Sequence, residues 1–427
     1  MGTATEPTPI ALEPDAPFRI LVLADFSGRA NRGLHGPLAG RPAIRIDCDN
    51  FDEVLERLAP ALKLPGSSLR FSQLDDFHPD HLYRTLPLFE KLANLRPALP
   101  KARQAAAPVK LEDLIQQSED RPADASDAND LAAFIERVSA AHLESKPEPG
   151  QQEWQLKVHA VVAEQMSAIL HHADYQALEG AWRAVSMMVD RLGAEDGLQI
   201  YLLDATLAEL TSEPEGLARL LAASKKAWGL LVANFAFGQG ARDAARLAVL
   251  GHAARSCGAP ILAEAMPPSD VSDEWESLRR SSAARSIGLA LPRFLLRLPY
   301  GRNTSPVEAL TYEEMTSSVH SQYLWGNPAF FCAILIGLAF REEGWDLRPG
   351  LVRRIDGLPQ HLYTENGETS SKPCAEVLMT EHEAEELLDR GFIPVASLKD
   401  QDAALAVRFC SIANPAAPLA GRWSSAG

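Results

Sequence analysis

A chain of 427 residues is longer than one hydrophobic core usually organises, so two domains, or three, are expected, each able to bury itself well. Apolar residues at 46% and charged residues at 23% are ordinary soluble usage, which argues against wholesale disorder and against a fibrous repeat. The formal net charge of -16 argues against a nucleic-acid partner, because affinity for a phosphate backbone needs clustered Lys and Arg.

Residues 1–16 are rich in Pro, Thr and acidic side chains and lack a basic stretch followed by an apolar run, so they read as a flexible tail and not as a signal peptide. Residues 18–24 (FRILVLA) form a nearly unbroken apolar run that stops at Asp25, Ser27 and Gly28, the pattern of a buried strand entering a turn. A short strand is expected at 43–46. After it, Asp49 or Asn50 caps a helix carrying Phe51, Val54, Leu55, Leu58 and Leu62. A further short strand at 69–71 and a helix from Asp80 through Leu95 complete a small α/β unit over residues 17–107.

Composition then shifts to Ala, Pro, Asp, Glu and Ser, and residues 108–150 read as a linker with two short amphipathic pieces, 111–117 and 131–143. A second domain, 151–427, opens with a long helical stretch from Trp154 to Leu192, broken near Asp174. Strands at 198–203, 229–235 and 260–263 alternate with helices, including one at 243–257, as in layered α/β folds. Further strands are expected at 294–298 and 393–395. The apolar run at 329–340 is a buried helix, too short for the roughly 20 residues that span a bilayer, so no membrane insertion is expected. No solenoid repeat occurs.

Catalytic patterns are weak. Gly238 and Gly240 lack the third glycine of a dinucleotide loop, and neither a Walker A lysine motif nor GxSxG is present. His171 and His172 are adjacent on a helix, so their side chains diverge instead of sharing a metal, and His382 heads an acidic helix face without a second histidine. Asp25, Asp47, Asp49, Asp75 and Asp76 lie at strand ends. They either gather to hold a cation or act as acid and base, or each caps a turn or helix, which is the simpler reading. Arg297 with Tyr300 and Gly301 reads as an anion site or as a turn after a strand. Cys48, Cys257, Cys332, Cys374 and Cys410 are widely spaced and read as reduced thiols of a cytosolic protein. No cofactor and no resident metal are expected.

Three strings occur in order in the first half: FRILVLADFSGR with Asp25, Ser27 and Gly28, then RPAIRIDCDNFDEV with Asp47, Asn50 and Phe51, then LRFSQLDDFHPD with Asp76 and Phe77. Together they resemble the small sheath subunit of bacterial type VI secretion systems. The second half resembles the large sheath subunit. The resemblance runs through ILHHADYQALEGAWRAVSMMVD with Glu179, Gly180 and Trp182, PRFLLRLPYG with Arg297, Pro299, Tyr300 and Gly301, and LWGNPAFFCAILIGLAFREEGW with Trp325, Gly326, Gly344 and Trp345. It continues in LPQHLY and in RGFIPVASLKDQDAALAVRF with Gly391 and Phe392.

The resemblance implies an α/β protein of two packed sheath-type domains joined by a helical linker. Its function would be structural and non-enzymatic: a cytoplasmic bacterial sheath component that mates with copies of itself or other sheath subunits around an inner-tube (Hcp-like) protein. The alternatives are an accessory sheath-like protein that caps the sheath or joins it to the baseplate and, more remotely, a metal- or nucleotide-dependent enzyme using Asp25, Asp47, Asp75 and Asp76. A ClpV-like AAA+ unfoldase is a further implied partner, with Leu111, Leu114 and Ile115 as the apolar helix face it would take. The large subunit usually continues beyond the segment matching Phe409, and the small subunit usually has a C-terminal helix and strand. With neither here, the strand mesh between neighbouring subunits is expected to be incomplete.

Overall fold

The computed structural model of the chain describes residues 16–64, 67–90, 151–193, 197–224, 226–267, 271–315, 319–348, 353–365 and 368–425. The first half supplies β1 (Phe18–Ala24), β2 (Ile44–Ile46), α1 (Phe51–Leu58), β3 (Ala61–Leu64), β4 (Ser67–Arg70) and α2 (Pro79–Thr85). Then follow α3 (Gln151–Leu170), α4 (Ala173–Leu192), β5 (Leu198–Asp204), α5 (Leu207–Ser212), α6 (Gly216–Ala222), β6 (Leu230–Phe237), α7 (Ala241–Cys257), β7 (Ile261–Ala265), α8 (Asp273–Arg280) and β8 (Ile287–Leu291). The chain continues through β9 (Phe294–Leu295), β10 (Trp325–Gly326), α9 (Pro328–Glu343), β11 (Arg353–Ile355), β12 (His361–Glu365), β13 (Glu368–Lys372), α10 (Glu381–Asp389), β14 (Phe392–Ser397), β15 (Ala404–Ala406), β16 (Cys410–Ser411) and β17 (Ala417–Pro418).

One nine-stranded sheet, ordered β11-β15-β14-β8-β7-β6-β1-β5-β2, organises the molecule. Its six central strands are parallel, and β2 and β15 add antiparallel at either side. β1 lies inside it, in register with β5 from Phe18↔Leu198 to Ala24↔Asp204 and with β6 from Ile20↔Leu230 to Leu23↔Ala233. All seven of its residues are buried. An apolar run of this kind suits a parallel strand covered on both faces. Arg19, its one charge, lies over the rings of Trp228 at 4.0 Å and Tyr201 at 4.5 Å.

The α/β class expected from sequence holds, and one sheet runs across the boundary between 17–107 and 151–427. β1 needs a neighbour on each edge, and in the first half β3 and β4 pair only with one another while β2 pairs with β5. The strands that satisfy β1 come from the second half.

Alternate residues of β1 feed two cores. Ile20 and Val22 join the face covered by α4 and α9, whereas Leu21 and Leu23 join the face covered by α6 and α7. α9 is apolar all round, as a helix enclosed on every side must be, and packs on α4 and across β6, β7 and β8. Asn327 caps it, Pro328 starts it, and Gly344 ends it at φ +63.

The helix expected through Leu62 stops at Leu58, because Ala59 turns to φ 47 and Pro60 has no N–H to continue it. Leu62 falls instead in β3. The break near Asp174 is real: His172 caps α4 by accepting from the Asp174 N–H. The strand expected at 294–298 contracts to the two residues of β9.

Candidate functional site

Two buried charge clusters tie the elements together, and the first lies on the seam between the halves. Glu209 stands at the start of α5, where it and the N-cap Thr206 bond reciprocally: the Glu209 N–H donates to Thr206 Oγ1 at 3.1 Å and the Thr206 N–H donates to Glu209 Oε2 at 2.9 Å. The same carboxylate accepts from Arg41 Nη2 at 2.7 Å, Arg41 Nη1 at 3.0 Å, Arg29 Nη2 at 2.9 Å and the Gly36 N–H at 2.9 Å. Burial works against its charge, but the two guanidinia and the Thr206 amide outweigh it and hold the carboxyl well below the usual carboxylate range. The loop between β1 and β2 is thereby clamped to the second half.

Other bonds run along the same seam. Asp204, at the end of β5, accepts from the N–H groups of Phe26 at 2.9 Å and Ser27 at 3.0 Å and from Ser27 Oγ at 2.7 Å. Trp182 Nε1 on α4 donates to the Phe26 carbonyl at 2.9 Å, and Tyr175 Oη to the Phe77 carbonyl at 2.7 Å. Asp80 accepts from the Glu308 and Ala309 N–H groups at 3.1 and 2.7 Å.

The second cluster centres on Arg297, whose guanidinium reaches Glu179 Oε1 at 2.8 Å and Glu314 Oε2 at 2.7 Å and lies 4.0 Å from the centre of the Tyr300 ring. Arg183 Nε donates to Glu179 Oε1 at 2.6 Å, and the Tyr300 N–H to Glu314 Oε2 at 2.7 Å. His171 Nε2 stands 3.4 Å from Glu314 Oε1 without an aligned hydrogen bond. Burial disfavours both charges here. Glu179 and Glu314 nevertheless keep Arg297 above the ordinary guanidinium pKa, and Arg297, His171 and the Tyr300 amide bring Glu314 down to about 2. A carboxylate so saturated with donors serves as a clamp.

The five aspartates go to separate tasks. Asp25 accepts from the Arg29 and Ala30 N–H groups at 2.6 and 2.8 Å, and Asp47 and Asn50 bond reciprocally ahead of α1. Asp76 accepts from the Ser72 and Gln73 N–H groups and faces His81 at 3.1 Å. Asp75 stands in the short turn of 3-10 helix before α2, and Asp49 is exposed. Among the described residues no group of three or more His, Cys, Asp or Glu is placed to hold a metal.

The remaining motif residues are spread through the packing. Gly28, at φ +72, sits where a Cβ would lie 2.2 Å from the Ala61 carbonyl oxygen, so no other residue fits. Phe51 meets Trp182 edge-on at 5.9 Å, Phe77 stacks on Phe71 at 4.0 Å, and Phe392 stacks on Trp275 at 6.2 Å. Gly180 and Gly326 face Leu296, Gly301 faces Glu313, and Gly391 faces the Ser411 carbonyl. The Pro299 carbonyl accepts from Thr304 Oγ1 at 2.5 Å. Trp325 Nε1 donates to the His320 carbonyl at 3.1 Å, and Trp345 Nε1 to the Ala16 carbonyl at 3.0 Å. Leu111, Leu114 and Ile115 lie outside the described residues. Sequence reasoning did not single out Arg29, Arg41, Asp204, Glu209, Arg183 or Glu314. The one local signal was the Thr206-x-x-Glu209 capping pattern, which says nothing of the arginines.

Residues 12–124 match the family described as "Type VI secretion system, VipA, VC_A0107 or Hcp2". Residues 153–269 and 268–413, more than half of the chain, match "EvpB/VC_A0108, tail sheath N-terminal domain". The chain belongs to the type VI secretion sheath family. The type VI secretion system sheath protein TssC1 of Pseudomonas aeruginosa is 30% identical over 299 residues, covering 60% of this chain and 60% of that protein. This sheath-family chain thus spans about 60% of the length of that curated relative. The two family matches fall on either side of the seam, with β1 in the first and β5 and β6 in the second. One polypeptide carries a small-subunit-like and a large-subunit-like part. No helix among the described residues is long and apolar enough to cross a membrane.

Proposed function

We propose that this protein is a structural building block of a type VI contractile sheath, one chain doing the work of a sheath pair, and that its task is assembly and not catalysis. The observation that carries this reading is the interior position of β1, a strand of the small-subunit-like part held on both edges by the large-subunit-like part. Such a body is a rigid unit able to repeat head to tail, and a repeat whose rotation does not close yields a helical tube. The saturation of both buried charge clusters by donors supports a holding role over a chemical one.

The family implies mating with further sheath subunits. Beyond that we place the protein in the bacterial cytoplasm, around an inner-tube (Hcp-like) protein and against a baseplate. A ClpV-like unfoldase would read Leu111, Leu114 and Ile115. A pull-down in which Leu114→Asp with Ile115→Asp binds the unfoldase as well as the unchanged chain removes that last assignment.

Negative-stain microscopy of the purified chain, alone and with its inner-tube protein, tests the central reading. Long tubes are expected. Discrete particles that bind only the ends of sheaths would replace it with a capping or adaptor role.

A further inference from the structure

A groove of about 560 Å³ opens between α2, α3 and residues 302–313. Its apolar lining is Tyr83 from α2, Val158 and Val162 one turn apart on α3, and Val307, Leu310 and Tyr312. Tyr83 belongs to the small-subunit-like part and the others to the large, so the groove lies on the seam between them. Its walls are held in place. Asp80, at the head of α2, takes the Glu308 and Ala309 N–H groups, and Tyr312 Oη stands 2.9 Å from Ser167 Oγ on α3. Tyr83, Val307 and Leu310 pack on the core yet remain partly open to solvent. A preformed apolar groove of this kind suits an occupant that brings apolar side chains.

The course of the chain points to that occupant. The described structure stops at Glu90, seven residues past Tyr83, and resumes at Gln151, seven residues before Val158. Residues 91–150, outside the described residues, therefore start and finish beside the two walls of the groove. Within them Leu131, Phe134, Ile135 and Val138 recur at i, i+3, i+4 and i+7, the spacing of one helix face, and such a face is what an apolar groove takes. Leu143 precedes Gln151 by eight residues, which span up to about 28 Å when extended. Val158 lies only about 10 Å along α3 from Gln151, so the connection reaches the groove with slack.

Two features favour this piece over residues 111–117. The length of chain it must close on α3 is shorter, and closure costs less entropy for a shorter length. The groove also carries Glu308 and Glu313 against Arg302. Residues 111–117 would add Glu112 and Asp113 to that acidic excess, while 131–143 balance Glu136 with Arg137. The family matches end at 124 and resume at 153, so residues 131–143 lie outside both family bodies.

We propose that the groove is the seat of the chain's own residues 131–143, with Leu131, Phe134, Ile135 and Val138 laid against Val158, Val162, Val307 and Leu310. The connection between the two halves then adds apolar contact across their seam.

Hydrogen exchange of the full chain carrying Phe134→Asp with Val138→Asp tests it, against the unchanged chain and against Leu111→Asp with Leu114→Asp. Protection of the amides at 158–162 and 307–312 is expected to fall about tenfold or more in the first variant and to hold in the second, while β1 and β6, inside the sheet, keep theirs in both. Equal protection at the groove in all three proteins overturns the proposal. Should the first variant lose protection throughout, a photo-cross-link decides independently of stability. With p-benzoylphenylalanine in place of Glu308, an exposed residue of the groove, capture of 131–143 within the same chain is expected, read by mass spectrometry on mixed light and heavy isotope-labelled protein. Capture of 111–117, capture of a second copy, or no capture within 131–143 overturns the proposal. The assembly reading, which rests on β1, stands or falls separately by microscopy.

Discussion

Arg41 Nη2 and Glu209 Oε1 lie 2.7 Å apart across 168 residues of chain, with Arg29 on the same carboxylate. The side-chain exposures of Arg29, Arg41 and Glu209 are 19%, 14% and 5%. Removing one partner of such a group strands the others. Glu209→Ala is expected to lower stability by about 3–5 kcal/mol, read as a shift in denaturant midpoint, because Arg41 then loses its carboxylate partner and Arg29 keeps only the longer 3.7 Å contact with Asp204. A loss below about 1 kcal/mol, the range of surface pairs, would show the clamp to be ornamental.

Because β1 is shared, the halves are expected to unfold together. Ile20→Ala removes a fully buried side chain from the middle of the sheet and should cost about 2–5 kcal/mol. Probes placed at α4 and at α7 should report the same shifted midpoint. Two separated transitions would mean that the halves hold themselves independently.

Arg297→Lys keeps the charge and loses the fork that spans Glu179 and Glu314. Lysine cannot reach both carboxylates with the same geometry, so a loss of about 2 kcal/mol or more is expected for this buried network. Equal stability of the two proteins in thermal melts would refute the bidentate account.

Burial pushes the Glu264 carboxyl on β7 up to about 7, with Glu376 adding to the shift and Arg293 opposing it. A carboxyl whose folded pKa exceeds its unfolded value favours the folded state below the unfolded pKa, and the advantage is lost as pH rises through the folded one. Glu264→Gln should therefore stabilise the protein at pH 8 by on the order of 2 kcal/mol and give little gain at pH 5. Melting curves at the two pH values decide it; equal effects at both would contradict the shift.

His361 moves the other way. Burial depresses its pKa, so the unfolded state takes up its proton first and the folded form loses stability as pH falls through the ordinary histidine value toward the lower folded one. Protonation also fills Nδ1, which Tyr323 Oη contacts at 2.8 Å. Protection of the β12 and β13 amides, corrected for the intrinsic pH dependence of exchange, should be lower at pH 5.5 than at pH 7.5, and His361→Gln should flatten that dependence. A hairpin indifferent to pH in the unchanged protein would rule out this contact as its anchor.

Local pattern carried a good part of the fold. Residues 18–24 read as a buried strand, 329–340 as a buried helix, and the chain near Asp174 as a helix break, and the structure has β1, α9 and the start of α4 at those places, because apolar period and capping chemistry act within a few residues. The hairpin had its own mark, Asn366 and Gly367 between the paired Glu365 and Glu368, which the strand pattern alone passed over.

What the chain order could not disclose is who stands beside whom. That Glu209 collects Arg29 and Arg41, that Arg297 joins Glu179 to Glu314, and that β1 slots between β5 and β6 all depend on contacts between distant segments. The sequence by itself determined many of the elements, the family and the lack of a recognisable catalytic motif. Only the tertiary structure decided that the two halves are one sheet, since a strand's hydrophobicity states that it must be covered and leaves open which backbone supplies the hydrogen bonds at its edges.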